Sequence, residues 1–294
     1  MKSAYINLSG AYGLQQSGTA DYREASEIVA EMDRLGIYQT VLECIEGNNS
    51  LYRNRRLLRD MQTIPDAKRR IIPSFILDPV ASIQTGAMDE ILHMIRDNQP
   101  CCISLYPRAS GYRLRLADLF LDRPELRNAV ILIDINQLIA SEACDDLIEL
   151  SARYPEMRFV IRQAMYSDWP ILFDIMRKAK NVYADISWMH SREAIRLAGE
   201  YLGEERLLYS HGPRATAGAS MAALVYAQIP EAQKENIRTE NFIQLFSDKH
   251  DREILRKNRR AIDDHVANSF WRSFMEGNGF YEAELIDVHT HLGA

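Results

Sequence analysis

"AVILIDINQLIASEACDDLIELSARYPEMRFVIRQ" (129–163) decides the fold. Its two ends, "AVILID" (129–134) and "RFVIRQ" (158–163), are short apolar runs rich in Val and Ile with little polar alternation. Strands covered on both faces have this texture, and they belong to parallel sheets. Between them "SEACDDLIELSARYP" (141–155) carries apolar residues at helical spacing. The stretch is therefore one strand–helix–strand unit.

The unit recurs in both directions. Further strands are expected at "AYINLS" (4–9), "YQTVLEC" (38–44), "RIIPSFIL" (70–77), "CCISLY" (101–106), "NVYADIS" (181–187) and "RLLYSH" (206–211). Helices are expected at "DYREASEIVAEMDRLG" (21–36), "PVASIQTGAMDEILHMIRDN" (79–98), "DWPILFDIMRKAKN" (168–181) and "SREAIRLAGEYLG" (191–203). The first of these puts Ala25, Ile28, Val29, Met32 and Leu35 on one face and closes on Gly36, which suits a left-handed C-cap. Eight strand–helix alternations within 4–247 favour an α/β chain folded as a (β/α)8 TIM barrel over an open doubly wound sheet. No GxGxxG turn or P-loop supports the open sheet. After residue 247 the texture turns polar, and 248–284 reads as a helical connector.

Of the 294 residues, 47% are hydrophobic and 26% charged, with a formal net charge of −6. That balance suits a globular chain and argues against a nucleic-acid surface. The densest basic run, "RKNRR" (256–260), is flanked by acidic residues and reads as a solvated helix face. No run reaches the roughly 18 apolar residues of a membrane span, so no membrane partner is expected. Cys44, Cys101, Cys102 and Cys144 form no CxxC pair. With no apolar signal segment at "MKSAYINLSG", they are expected to be reduced cysteines of a cytoplasmic protein.

"DRLGI" before the second strand, "RIIPSFILDP" at the third, "NVYADIS" at the seventh and "QIPEAQKENIRTENFIQLF" (228–246) occur together in an order that resembles the amidohydrolase-related family. That family comprises TIM-barrel, metal-dependent hydrolases and decarboxylases. The resemblance implies an opening Asp-x-His-x-His on strand one, His residues ending strands five and six, a Lys-x-His on strand four and an Asp after strand eight. The chain departs from each. Strand one offers Asn7, Ser9 and Ala11; strand four offers Ser104 and Tyr106. Asp134 ends strand five, Gln163 follows Arg162 at the end of strand six, and His211 stands near the Asp position of strand eight.

The family's opening recurs at "IDVHTHLG" (286–293), where Asp287, His289 and His291 stand in the frame that Asn7, Ser9 and Ala11 occupy in "INLSGAYG" (6–13). The expectation is a tandem protein: a ligand-depleted barrel over 1–247, a linker over 248–284, and the first strand of a second barrel over 285–294. The second barrel, in the same polypeptide, or a homo-oligomer would be the partner. Zinc or manganese is expected only there, on His289 and His291, and no cofactor is expected in 1–247. On this reading the first barrel is a pseudoenzyme with a structural or regulatory role.

Two other readings stay open. Asp134, Asp185 and His211 fall at strand ends on the face where such barrels keep their active sites, with Asn7, Ser9, Glu43, Ser104, Tyr106, Arg162 and Gln163 around them. They would serve a repurposed hydrolase or lyase by acid–base catalysis. The bland alternative has Asp134 and Asp185 paired with Arg162 or Arg214. A binding module is the third reading, because Arg108, Arg113, Arg162 and Arg214 could hold a small carboxylate.

Overall fold

The computed structural model describes residues 5–14, 20–47, 49–138, 140–191 and 193–260. Eight strands run parallel in the order of the sequence: β1 (Ile6–Tyr12), β2 (Gln39–Cys44), β3 (Ile71–Leu77), β4 (Cys102–Leu105), β5 (Val130–Asp134), β6 (Arg158–Arg162), β7 (Val182–Asp185) and β8 (Leu207–Leu208). Ladders join each strand to the next, as in Val130–Asp134 against Arg158–Arg162. The expected (β/α)8 barrel is the observed fold. β8 supplies only two ladder residues, and the seam to β1 is bridged by side chains: the His211 N–H donates to Asn7 Oδ1 at 2.9 Å, and the Ser9 and Ser210 hydroxyls bond to each other.

Helices cover the outside. Ala25–Leu35 buries Ala25, Ile28, Met32 and Leu35 and ends on Gly36 at φ 69°, whose N–H returns to the Met32 carbonyl. The helix expected over 79–98 is two, Pro79–Ile83 and Ala87–Asp97, parted at Gly86 with φ 73°. After β4 the covering layer is made of short turns, Leu114–Ala117, Asp118–Leu121 and Pro124–Leu126, that bury Leu114, Phe120 and Leu126. The helices Ser50–Met61, between β2 and β3, and Ser141–Arg153, Trp169–Lys178, Ala194–Leu202 and Ala217–Tyr226 complete the ring.

The barrel interior is a core of its own. Ile6, Leu8, Val41, Ile72, Cys102, Val130, Leu132, Val160 and Leu208 pack there with Phe242, Ile243, Leu245, Phe246 and Leu255. The last five come from the segments after β8 and close the barrel's N-terminal end. Leu255 lies in the helix Lys249–Arg260, inside the segment expected as a connector, and is fully buried. Residues 261–294, including the repeated opening with His289 and His291, lie outside the described residues.

Truncating Leu255 to Ala should cost about 2–5 kcal/mol, the usual range for a buried leucine. Urea unfolding followed by circular dichroism checks this. A change below about 0.5 kcal/mol, the range of surface substitutions, would show that the helix only rests against the barrel.

Candidate functional site

Side chains along a strand alternate between the two faces of the sheet. Val41, Leu132 and Val160 face the barrel interior, so Glu43, Asp134 and Arg162, two residues further on, face it as well. Cys102 likewise directs Ser104 and Tyr106 inward. The strands thus change from apolar to polar at the C-terminal mouth of the barrel.

Arg162 is the centre of this polar layer, with 2% of its side chain exposed. Its Nε donates to Asp134 Oδ1 at 2.8 Å and its Nη2 to Glu43 Oε1 at 2.8 Å. Nη1 donates to the Leu8 carbonyl at 3.1 Å, and Nη2 also reaches the Tyr106 hydroxyl at 3.4 Å. Burial alone would lower the guanidinium pKa, but the charges of Asp134 and Glu43 more than offset it and hold Arg162 protonated. Burial pushes Asp134 upward, and Arg162 pulls it back. Burial, with Glu43 and Asp134 alongside, places the Tyr106 phenol far above its ordinary range, so it stays neutral.

Asp185 stands apart from the arginine. Its Oδ1 accepts from the Gln163 N–H at 3.0 Å, the Ser187 hydroxyl at 2.8 Å and the Ser187 N–H at 3.3 Å. Burial raises its pKa to about 6 against the pull of these bonds. Gln163 has φ 62°, a left-handed conformation that a non-glycine residue adopts at a cost of about 1–2 kcal/mol. The Asp185 carboxylate holds it there.

His211 is fully buried beside Tyr22, ring centroids 6.3 Å apart. Burial lowers its pKa, so the imidazole is neutral. Nδ1 carries the proton toward the Gly212 carbonyl at 2.5 Å, which leaves Nε2 as an acceptor. Among the described residues Nε2 has no hydrogen-bond partner, and neither do Asp185 Oδ2 and Glu43 Oε2.

The other expected site residues have structural partners. Asn7 donates to Thr40 Oγ1 at 2.8 Å and to the Ser9 carbonyl at 3.1 Å, while its Oδ1 accepts from Ser9 and His211 across the seam. Ser104 bonds Ser74 at 2.7 Å. Arg214 lies 5.3 Å over the Tyr22 ring and donates to the Asp21 carbonyl, away from both aspartates. The structure therefore joins Asp134, Glu43, Tyr106 and Arg162, and sets Asp185 with Gln163 and Ser187. Ser74, Ser187 and Ser210 were not singled out in the sequence. Ser74 stands two residues beyond interior Ile72, and that spacing would have found it.

The divalent ion that the family resemblance implies needs several converging imidazole or carboxylate donors. Here Glu43 and Asp134 each hold an oxygen against a guanidinium, which places a fixed positive charge among the donors. Among the described residues no group of three or more His, Cys, Asp or Glu side chains is arranged to hold a metal. The residues present do not fit such an ion.

No protein-family model matches the chain, and no curated protein matches it by sequence. Solved structures do match by fold. 5-Carboxyvanillate decarboxylase from Novosphingobium aromaticivorans, crystallised with manganese and 4-hydroxy-3-methoxy-5-nitrobenzoic acid, has a TM-score of 0.59 at 14% identity over 83% of this chain and 96% of that one. A putative amidohydrolase from Staphylococcus aureus gives 0.57 at 15% identity, over 83% and 99% of the two chains. 2,6-Dihydroxybenzoate decarboxylase from Rhizobium gives 0.53 at 14%, over 83% and 98%. At such identities the likeness is one of fold: this chain is built like the barrels of those enzymes.

Stability should follow the protonation of Asp185 with a definite sign. Its folded pKa of about 6 lies above the ordinary carboxylate value of 3.8. The folded state therefore binds the proton more tightly, and stability present at low pH is lost as pH rises toward 6. A rise of about two units corresponds to about 3 kcal/mol at neutral pH. Relative to the Asp185→Asn variant, the native chain should lose stability between pH 4 and pH 7 and change little above. Urea midpoints for both proteins across that range check it; parallel curves would refute it.

Proposed function

We propose that residues 1–247 are an amidohydrolase-like barrel whose catalytic centre has been replaced by a buried ion cluster, and that its role is structural or regulatory. The observation that carries this reading is Arg162, buried at the mouth with Asp134 and Glu43 both bonded to it. A guanidinium there provides the positive charge that holds carboxylates together, and it has no open coordination position for a water or a substrate.

The partner in this reading is a second barrel of the same polypeptide, or a second copy of the chain. The repeat of the family's opening at 286–293, with His289 and His291, supports the former. Zinc or manganese would then belong to the second barrel; the manganese in the N. aromaticivorans decarboxylase supports a divalent ion for barrels of this build.

One observation favours the competing reading, a hydrolase or lyase with a repurposed centre. Among the described residues Asp185 Oδ2 and His211 Nε2 are buried acceptors without partners; burial raises the Asp185 carboxyl to about 6 and holds the His211 imidazole neutral, the forms of a proton donor and a proton acceptor.

Metal content separates the two. The full chain carrying His289→Ala and His291→Ala, equilibrated with Mn²⁺ or Zn²⁺ and dialysed, should retain far less than a stoichiometric ion by elemental analysis. Its Tm should not move on metal addition, because an ion that does not bind the native state cannot stabilise it. A stoichiometric ion that disappears with Asp134→Asn or His211→Ala would overturn the non-catalytic reading.

A further inference from the structure

At the N-terminal end of the barrel, away from the Arg162 cluster, lies a cavity of about 310 Å³. Its walls are the first residues of β2 and β3, the C-terminal ends of the helices Ser50–Met61 and Ala87–Asp97, and one face of the helix Lys249–Arg260. Met61, Ile72, Ile254 and Leu255 supply the apolar part of the lining. The volume stands at the lower end of the range for small-molecule sites.

The polar part of the lining presents an acceptor. Gln39 opens β2 two residues before interior Val41, so its side chain turns into the barrel, where it is 1% exposed. Its Nε2 donates to the Arg69 carbonyl at 3.0 Å. That bond fixes which way the amide points, because turning it over would set two carbonyl oxygens against each other. Oε1 is therefore the end left over, and among the described residues it has no hydrogen-bond partner. A buried acceptor without a donor is a cost that a bound N–H or O–H removes.

The amides beside it are engaged elsewhere. Asn98 Nδ2 donates to the Met94 carbonyl at 2.8 Å and Gln99 Nε2 to the Ile95 carbonyl at 3.1 Å, both closing the end of the helix Ala87–Asp97. Lys68 and Asp97 are the ionisable residues of the lining, one of each sign and both exposed. No net charge therefore selects an anion or a cation. The cavity is an apolar chamber with one fixed acceptor.

We infer that this cavity binds a small uncharged molecule with an apolar body and one N–H or O–H, which donates to Gln39 Oε1 while the body lies against Met61, Ile72 and Ile254. Ile254, Leu255 and Asn258 belong to the helix Lys249–Arg260, so the occupant touches the barrel strands and that helix at once and holds one to the other. The site stands whether or not the barrel mouth is catalytic.

Indole and benzofuran share one shape and differ in the N–H, so they are the probes, titrated calorimetrically into the purified full chain. Indole should bind at one site, about tenfold more tightly than benzofuran, the worth of one hydrogen bond. Benzoate and benzylammonium should bind far more weakly than indole. Gln39→Met, which removes the acceptor, should bring indole down to the affinity of benzofuran, and Ile254→Trp should abolish both by filling the cavity. Amide hydrogen exchange across 249–260 should slow when indole is bound. No binding of indole, equal affinity for the two probes, a charged probe as tight as indole, indole binding that survives Ile254→Trp, or unchanged exchange in that helix would each overturn the inference. Where Gln39→Met does not fold, the preference of the native chain and the Ile254→Trp result decide. None of these results depends on metal content, so failure here leaves the reading of the barrel mouth where it stands.

Discussion

The mouth of this barrel depends on one buried cation. Arg162 leaves β6 and bonds to groups on β5, β2 and β1, with the Tyr106 hydroxyl just past β4 alongside. These strands are far apart in sequence, and the ladders join each only to its neighbour. A charged group with five donors in a rigid fork can span the interior where an aliphatic side chain would only fill it. The cluster is not a cheap source of stability, because removing three charges from water costs several kcal/mol per ion. Its consequence is specificity: loss of the guanidinium leaves two buried carboxylates without a counter-ion, so the mouth tolerates few other arrangements.

A second constraint follows from the shortness of β8. Two ladder residues cannot pair fully with β1, and unpaired backbone groups inside a barrel are costly. Asn7 replaces part of the missing ladder. Its amide donates along β1 and to β2, and its carbonyl accepts from Ser9 and His211. The residue standing where the family opens with Asp is therefore a clamp on the barrel seam. An Asp at the same place would have no N–H to give Thr40 or the Ser9 carbonyl, which explains in physical terms why an amide sits there.

How much of this was legible depended on the kind of pattern. The eight strands were legible because strands buried on both faces are written as short apolar runs. The inward set Glu43, Asp134 and Arg162 was legible in parity, since each lies two residues past an interior aliphatic. The pairing of Asp134 with Arg162 was one of the alternatives the sequence offered; the placement of Asp185 with Gln163 and Ser187 was not. That arrangement needs Gln163 in the left-handed region, and no residue type there announces it. The covering layer after β4 was hidden for a similar reason, because three short turns bury Leu114, Phe120 and Leu126 without a helical period. Leu255 was hidden by its polar surroundings, which outweigh a single buried leucine in any reading of composition.

The same geometry decides where binding can occur on this face. At the axis the donors are taken: Arg162 is bonded to protein acceptors, Ser104 to Ser74, and Ser9 to Ser210. Among the described residues, the strand ends leave Glu43 Oε2, Asp185 Oδ2 and His211 Nε2 unpartnered, all three acceptors. A surface of buried acceptors repels an anion and offers it no hydrogen bond.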